Sequence, residues 1–210
     1  VENTRFLVEH GAKIIVISCN SASSVATEDL RNLFDIPVIE VISPAVDMAL
    51  QTSSSGRIGV IGTRATVDSN IYETKIRERA PEARVSSTAC PLLVPLVEEG
   101  WLNKRETKMI LRRYLHPLKN RQIDTLVLGC THYPLLRQLI QPRIGRKVNI
   151  IDSSEATASY LEQFLEQNPT ILDNTEKSSR YFVTDLTRTA HRIAEMIFGH
   201  PVPLERGDLL

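Results

Sequence analysis

Ile14-Ile15-Val16-Ile17-Ser18-Cys19-Asn20-Ser21 and Thr125-Leu126-Val127-Leu128-Gly129-Cys130-Thr131-His132 are two copies of one pattern. Each reads as an apolar strand, a small residue, a cysteine, and then polar residues entering a helix or turn. Arg57-Ile58-Gly59-Val60-Ile61-Gly62-Thr63 has the same form without the cysteine. Continuous apolar runs of this kind fit parallel strands covered on both faces, not half-exposed antiparallel ones. Two copies of one site element suggest a pseudo-symmetric pair of lobes.

Outward from these runs, the clearest strands are Lys13–Ser18, Val38–Val41, Arg57–Ile61, Ile123–Leu128 and Lys147–Ile151, with Arg84–Ser87 weaker. Helical patterns lie between and after them, at Ser23–Leu33, Ala45–Gln51, Val67–Arg79, Lys104–Leu115, Leu135–Ile140, Ala156–Gln167 and Leu186–Phe198. Val1–His10 is also helix-like. Strand followed by helix, repeated, means an α/β fold. The expected architecture is two pseudo-symmetric lobes with mostly parallel sheets and flanking helices, the first lobe truncated. Ile42-Ser43-Pro44-Ala45 and Ile151-Asp152-Ser153-Ser154 each follow a strand and mark the joints. Ser43 is expected to cap a helix with Pro44 at its first position. The lobes are then 1–43 with 153–210, and 44–152. Asn168–Ser179 is polar and reads as a surface loop.

Hydrophobic residues make up 42% and charged residues 24% of the 210, ordinary for a soluble globular chain. Lys plus Arg balances Asp plus Glu at 25 each, so no basic excess points to nucleic acid. No apolar run reaches the roughly 18 residues of a membrane span. Three cysteines, Cys19, Cys90 and Cys130, do not make a disulfide framework and suit a reducing cytoplasm. None has zinc-site spacing, so no metal is expected.

In open parallel sheets, ligands bind beyond the carboxyl ends of the strands, where Cys19 and Cys130 both stand. Backbone N–H groups at the start of a helix or turn favour a thiolate there. The trailing Asn20-Ser21 and Thr131-His132 supply donors for a carboxylate or for developing negative charge. Racemisation removes an α-proton from one face of a carbon and returns one on the other. Two thiols facing each other can do this, one as thiolate base and one as thiol acid. A single cysteine near a strand end is usually just core, and it is the pair in matching contexts that reverses this preference. Cys90 has no such context and reads as structural. His132, with an unperturbed pKa near neutrality, is a candidate acid or base. Thr63 and Thr66 either cap a helix or hold a carboxylate at its N-terminus. Glu98 and Glu99 read by themselves as a solvated helix start.

Cys19-Asn20-Ser21-Ala22-Ser23 resembles the first cysteine motif of glutamate racemases, and Gly129-Cys130-Thr131-His132-Tyr133-Pro134-Leu135-Leu136 resembles the second. Ile58–Val67, Cys90–Gly100 and Tyr181–Asp185 are similar to family segments in the same order. The resemblance implies two α/β lobes with the site between them. It implies a racemase without cofactor or metal that supplies D-glutamate for peptidoglycan in the cytoplasm. It makes Cys19 and Cys130 the two proton donor/acceptors, with His132 assisting Cys130. Asn20, Ser21, Thr63, Thr66, Thr131 and His132 become substrate contacts. Glu98 matches an acidic residue with a supporting role, with Glu99 as the alternative. The partner is a small-molecule substrate, with no nucleic acid and no membrane, and a homodimer is left open.

Two features depart from the family pattern. Ser21 stands where threonine is usual, keeping the hydroxyl. The family's opening strand with an Asp-Ser motif, and a following segment with Pro-Tyr-Gly, have no match in these residues. Aspartate or broad-specificity racemisation is the nearest alternative. A non-catalytic remnant binding a ligand or protein is another, and a thiol redox protein a third. An unpaired sheet edge and exposed apolar surface are expected in the first lobe. The 210 residues alone are therefore expected to turn over weakly and to associate. An assay of D/L-glutamate interconversion on this chain checks it, and normal turnover would refute the expectation.

Overall fold

The computed structural model describes residues 1–171 and 178–208. Three parallel sheets organise it. In chain order the elements are α1 (Glu2–Glu9), β1 (Ile15–Ile17), α2 (Asn20–Leu33), β2 (Val38–Glu40), α3 (Ile42–Thr52), β3 (Arg57–Gly62), α4 (Arg64–Asp68), α5 (Ile71–Arg79), β4 (Arg84–Ala89) and α6 (Leu93–Glu98). There follow α7 (Arg105–Asn120), β5 (Thr125–Gly129), α8 (Arg137–Ile144), β6 (Asn149–Asp152), α9 (Ser153–Gln167), β7 (Tyr181–Val183), α10 (Arg188–Phe198) and β8 (Leu204–Arg206). Strand order in the main sheet is β4-β3-β5-β6, all parallel. β1 and β2 pair parallel in a two-stranded sheet, as do β7 and β8.

The apolar runs become the buried strands because both faces of the main sheet are covered. Along β5, Leu126 and Leu128 point into one core with Ile61, Leu93, Leu111 and Leu115. Val127 points into the opposite core with Ile58, Val60, Val46 and Tyr72. Every β5 residue is buried. A smaller core of Ile15, Ile17, Leu30 and Val38 joins β1 and β2 to α2. On the outer face of α2, Val25 is 72% and Leu33 61% exposed.

Several boundaries depart from the sequence pattern, each for a local reason. The single helix expected over Val67–Arg79 is two, α4 and α5, because Asn70 takes a left-handed conformation at φ 56. Asparagine tolerates that region better than most residues. Ser43 does not cap α3. The Glu40 carboxylate does, accepting from Ile42 N at 2.5 Å and from Ser43 N at 3.0 Å, so the helix begins before Pro44. Glu98 ends α6 instead of starting a helix. Tyr133–Leu136 is a 3-10 turn ahead of α8. The short β7 and β8 carry too few residues to announce themselves in the sequence. Of the polar stretch 168–179, Pro169–Ile171 forms a 3-10 turn, and 172–177 lie outside the described residues.

Asp124 fastens the loop before β3 to the start of β5. It accepts from Ser53 Oγ at 2.6 Å, Ser54 Oγ at 3.2 Å and Ser55 N at 2.7 Å. Partial burial pushes the carboxyl up, but the hydrogen bonds from Ser53 and Ser55 outweigh it and hold Asp124 well below the usual carboxylate range. A depressed folded-state pKa gives stability that is present above the unfolded value and lost as pH falls through the folded one. Asp124→Ala is expected to cost about 1–3 kcal/mol at neutral pH. The gap to the parent should narrow below roughly pH 4, where the unfolded carboxyl begins to protonate. Urea unfolding at pH 7 and pH 3 measures both.

Candidate active site

Cys19 and Cys130 each stand one step beyond a strand. Cys19 is the N-cap of α2, its backbone extended and its carbonyl accepting from Ser23 N at 2.8 Å. The residue is exposed. Cys130 follows β5 and precedes the 3-10 turn, and only 6% of it is exposed. Matching sequence contexts thus produce unequal environments. Burial pushes the Cys130 thiol up to about 11. Hydrogen bonds from the His132 and Tyr133 backbone N–H groups and from Thr131 pull against this, while negative charge on Cys19 adds to the rise. The two sulfurs therefore share one electrostatic field. A thiolate at Cys19 helps keep Cys130 protonated.

A relay leads away from Cys130. Its sulfur lies 3.9 Å from His132 Nδ1, and His132 Nε2 lies 3.3 Å from Glu98 Oε1. Thr131 Oγ1 is 3.3 Å from the same Nδ1. The imidazole can exchange a proton with the sulfur on one side while the carboxylate orients the ring on the other. Glu98 can do this because it closes α6, where Arg192 of α10 donates to its backbone carbonyl at 2.7 Å. Glu99 makes no such contact among the described residues.

A group of hydroxyls gathers at the start of α2 and the end of β3. Ser21 Oγ is 2.8 Å from Thr63 Oγ1 and 3.1 Å from Thr66 Oγ1, and the two threonine oxygens are 3.1 Å apart. Thr63 also caps α4 by accepting from Thr66 N at 3.2 Å. The capping and site readings of these threonines are thus compatible. The group joins the first turn of α2 to the end of β3, at the carboxyl edge of the main sheet.

Asn20 is 1% exposed and its amide is engaged at both ends. Nδ2 donates to Ser153 Oγ at 3.2 Å, and Oδ1 accepts from Tyr72 OH at 2.5 Å. Ser153 donates in turn to the Leu128 carbonyl of β5 at 3.2 Å. Tyr72 and Ser153 were not singled out by the sequence reading. Ser153 falls in the joint after β6, but Tyr72 lies in an ordinary helical pattern that carries no signal. Gly129 makes room for this network: a Cβ there would meet the Ile61 carbonyl at 3.0 Å and Tyr72 Cε2 at 3.2 Å. Burial pushes the Tyr72 phenol well above its usual range, with the Glu40 and Cys130 charges adding.

Cys90 is fully buried, and burial pushes its thiol up to about 12, with Cys130 adding. Its carbonyl accepts from Tyr133 OH at 3.0 Å, so it packs beneath the turn that carries His132. Among the described residues, no group of three or more His, Cys, Asp or Glu side chains is placed to hold a metal ion. No described helix is long and apolar enough to cross a membrane.

Tyr72→Phe leaves the buried Asn20 carbonyl without its donor, at an expected cost of about 1–3 kcal/mol. Chemical denaturation of the variant against the parent tests this. An effect below a few tenths of a kcal/mol would remove Tyr72 from the frame of the site.

With this geometry in hand, three comparisons bear on the chain. It is 42% identical over 209 residues to the glutamate racemase of Persephonella marina, covering 100% of this chain and 78% of that relative. The solved structure of glutamate racemase isoform RacE1 from Bacillus anthracis superposes with a TM-score of 0.93 at 36% identity, covering 99% of this chain and 78% of that one. Glutamate racemase from Francisella tularensis in complex with D-glutamate superposes at 0.90 with 31% identity and the same coverage. Residues 2–161 match the family model described as Asp/Glu/Hydantoin racemase, and the chain belongs to that family.

Proposed function

We propose that the chain interconverts L- and D-glutamate by passing the α-proton between Cys19 and Cys130, with no cofactor. The relatives at about 40% identity are glutamate racemases, and the Francisella structure holds D-glutamate. The observation that carries the two-thiol reading is the pairing of an exposed cysteine at a helix start with a buried one whose thiol burial pushes up, the Cys19 charge adding.

In one direction, Cys19 thiolate takes the α-proton. The C–H electron pair is left on the α-carbon and spreads into the adjoining carboxylate. Cys130 then gives its S–H proton to the opposite face, leaving Cys130 as thiolate and Cys19 as thiol. In the other direction the roles reverse: His132, its ring held by Glu98, first takes the Cys130 proton and releases it to solvent, the Cys130 thiolate removes the α-proton, and the Cys19 thiol, protonated from solvent, supplies one to the opposite face. Asn20 acts by fixing the start of α2 and therefore Cys19. Ser21, Thr63, Thr66 and Thr131 offer hydroxyls to the substrate carboxylates, whose orientation shortens the proton's path. The site lies between two lobes, 1–43 with 153–210 and 44–152. The product serves peptidoglycan synthesis in the cytoplasm. In the 210 residues alone Cys19 is open to water, where a solvated thiolate is a poorer base toward a carbon acid. Low turnover is expected from this segment by itself.

Racemisation in deuterated water is expected to place solvent deuterium at the α-position of glutamate. Cys19→Ser and Cys130→Ser are each expected to lower kcat by roughly 10²–10⁴-fold with the fold retained. Turnover within tenfold of the parent in either variant would sink the two-thiol reading. Either direction needs one thiol ionised and the other protonated, so kcat/KM is expected to rise with pH and then to fall toward about 11, where Cys130 also ionises. His132→Asn should lower kcat/KM equally for both enantiomers, because their equilibrium constant is unity, as measured by circular dichroism starting from each enantiomer across pH.

A further inference from the structure

A cavity opens where β4 ends, beside the α4 that Thr63 caps. Its volume is about 360 Å³, and Arg64, Arg113 and Tyr114 line it with Pro91, Leu92 and Ile110. Arg64 opens α4, Arg113 and Tyr114 come from α7, and Pro91 and Leu92 follow β4. Both helices pack against β4, which brings the two guanidiniums to one opening.

Several arginines on the surface are already committed to partners. Arg31, Arg77, Arg79, Arg137 and Arg180 each hold a carboxylate, and Arg143 holds backbone carbonyls. Among the described residues, neither Arg64 nor Arg113 has a hydrogen-bonding or ion-pair partner, and no acidic residue lines the cavity. Solvated arginines are common on helix faces. Here, two converge on a concave wall with an aromatic ring and three apolar side chains. Small-molecule sites have that composition: an apolar lining with a few polar groups that fix orientation.

We propose that this cavity binds a phosphomonoester carrying a single-ring apolar or aromatic body. A phosphoryl group has three terminal oxygens and about two negative charges, enough for two guanidinium forks, whereas one carboxylate occupies only one. The volume exceeds what inorganic phosphate needs. Pro91, Leu92 and Ile110 provide the wall against which the body rests. Tyr114 offers its ring and packs against the core that holds Tyr133, whose phenol burial pushes up, the Cys130, Cys90 and Tyr114 charges adding. Tyr133 in turn bonds the Cys90 carbonyl beneath the thiol turn. The cavity is thus one side chain removed from Cys130, yet it shares none of the residues assigned to the reaction. The proposal stands independently of the racemase reading.

Phenyl phosphate titrated into the isotope-labelled chain is the test, with inorganic phosphate and benzoate as the other arms. Saturable amide shifts confined to β4, the segment 89–92 and α7 are expected, with phenyl phosphate at least several-fold tighter than either control. Arg64→Ala and Arg113→Ala should each weaken it roughly tenfold, the loss of one charge-assisted pair. Arg113→Lys should restore part of the affinity. Absence of saturation by 10 mM, equal affinity for inorganic phosphate, or unchanged affinity in both alanine variants would overturn the proposal.

Discussion

The rest of the site depends on one buried amide. Asn20 follows the first cysteine directly, and its side chain spans from Tyr72 on α5 to Ser153 at the head of α9. Ser153 in turn grips the β5 carbonyl two residues before Cys130. A short chain of hydrogen bonds therefore ties the helix that begins at one thiol to the strand that ends at the other. Burying an amide is tolerable only when its donors and acceptors are met. Losing any partner leaves an unmet polar group in the interior, so the network fixes geometry as well as adding stability.

The two thiols share a sequence pattern but not an environment. β5 is flanked by β3 and β6 and covered by cores on both faces, so whatever follows it begins in the interior. Among the described residues β1 pairs only with β2, and its exit meets solvent. The difference is chemically useful. Burial pushes the Cys130 thiol up, and Cys19 is open to solvent. The proton shuttle proposed above requires one thiol and one thiolate at any moment. His132 and Glu98 attend the buried member, where leaving as thiolate costs most and a nearby proton acceptor helps most.

Much of the fold could be read from the chain. All six main strands fall within apolar or β-rich runs, and the right order of strands and helices followed from their alternation. Asn70 and Glu40 show why the boundaries were harder. A left-handed residue splits a helix without altering its apolar period, and a carboxylate two residues upstream can displace a serine as the cap. Of the candidate site, the sequence and its resemblance named Cys19, Cys130, Ser21, Thr63, Thr66, Thr131, His132 and Glu98, and the structure brings all but Cys19 into two groups of contacting side chains. Tyr72 was not, because nothing local distinguishes a tyrosine that crosses 52 residues to meet Asn20.

The sequence by itself determined which atoms could do chemistry, since a duplicated strand-cysteine-polar pattern sets residue types and their places at strand ends. Only the tertiary structure decided that one thiol is buried and the other open, that Glu98 reaches His132, and that Asn20 is spent inside the protein. The physical reason is range. Strand and helix periodicity are properties of neighbouring residues, whereas burial and the partners of a polar group depend on elements far apart in the chain.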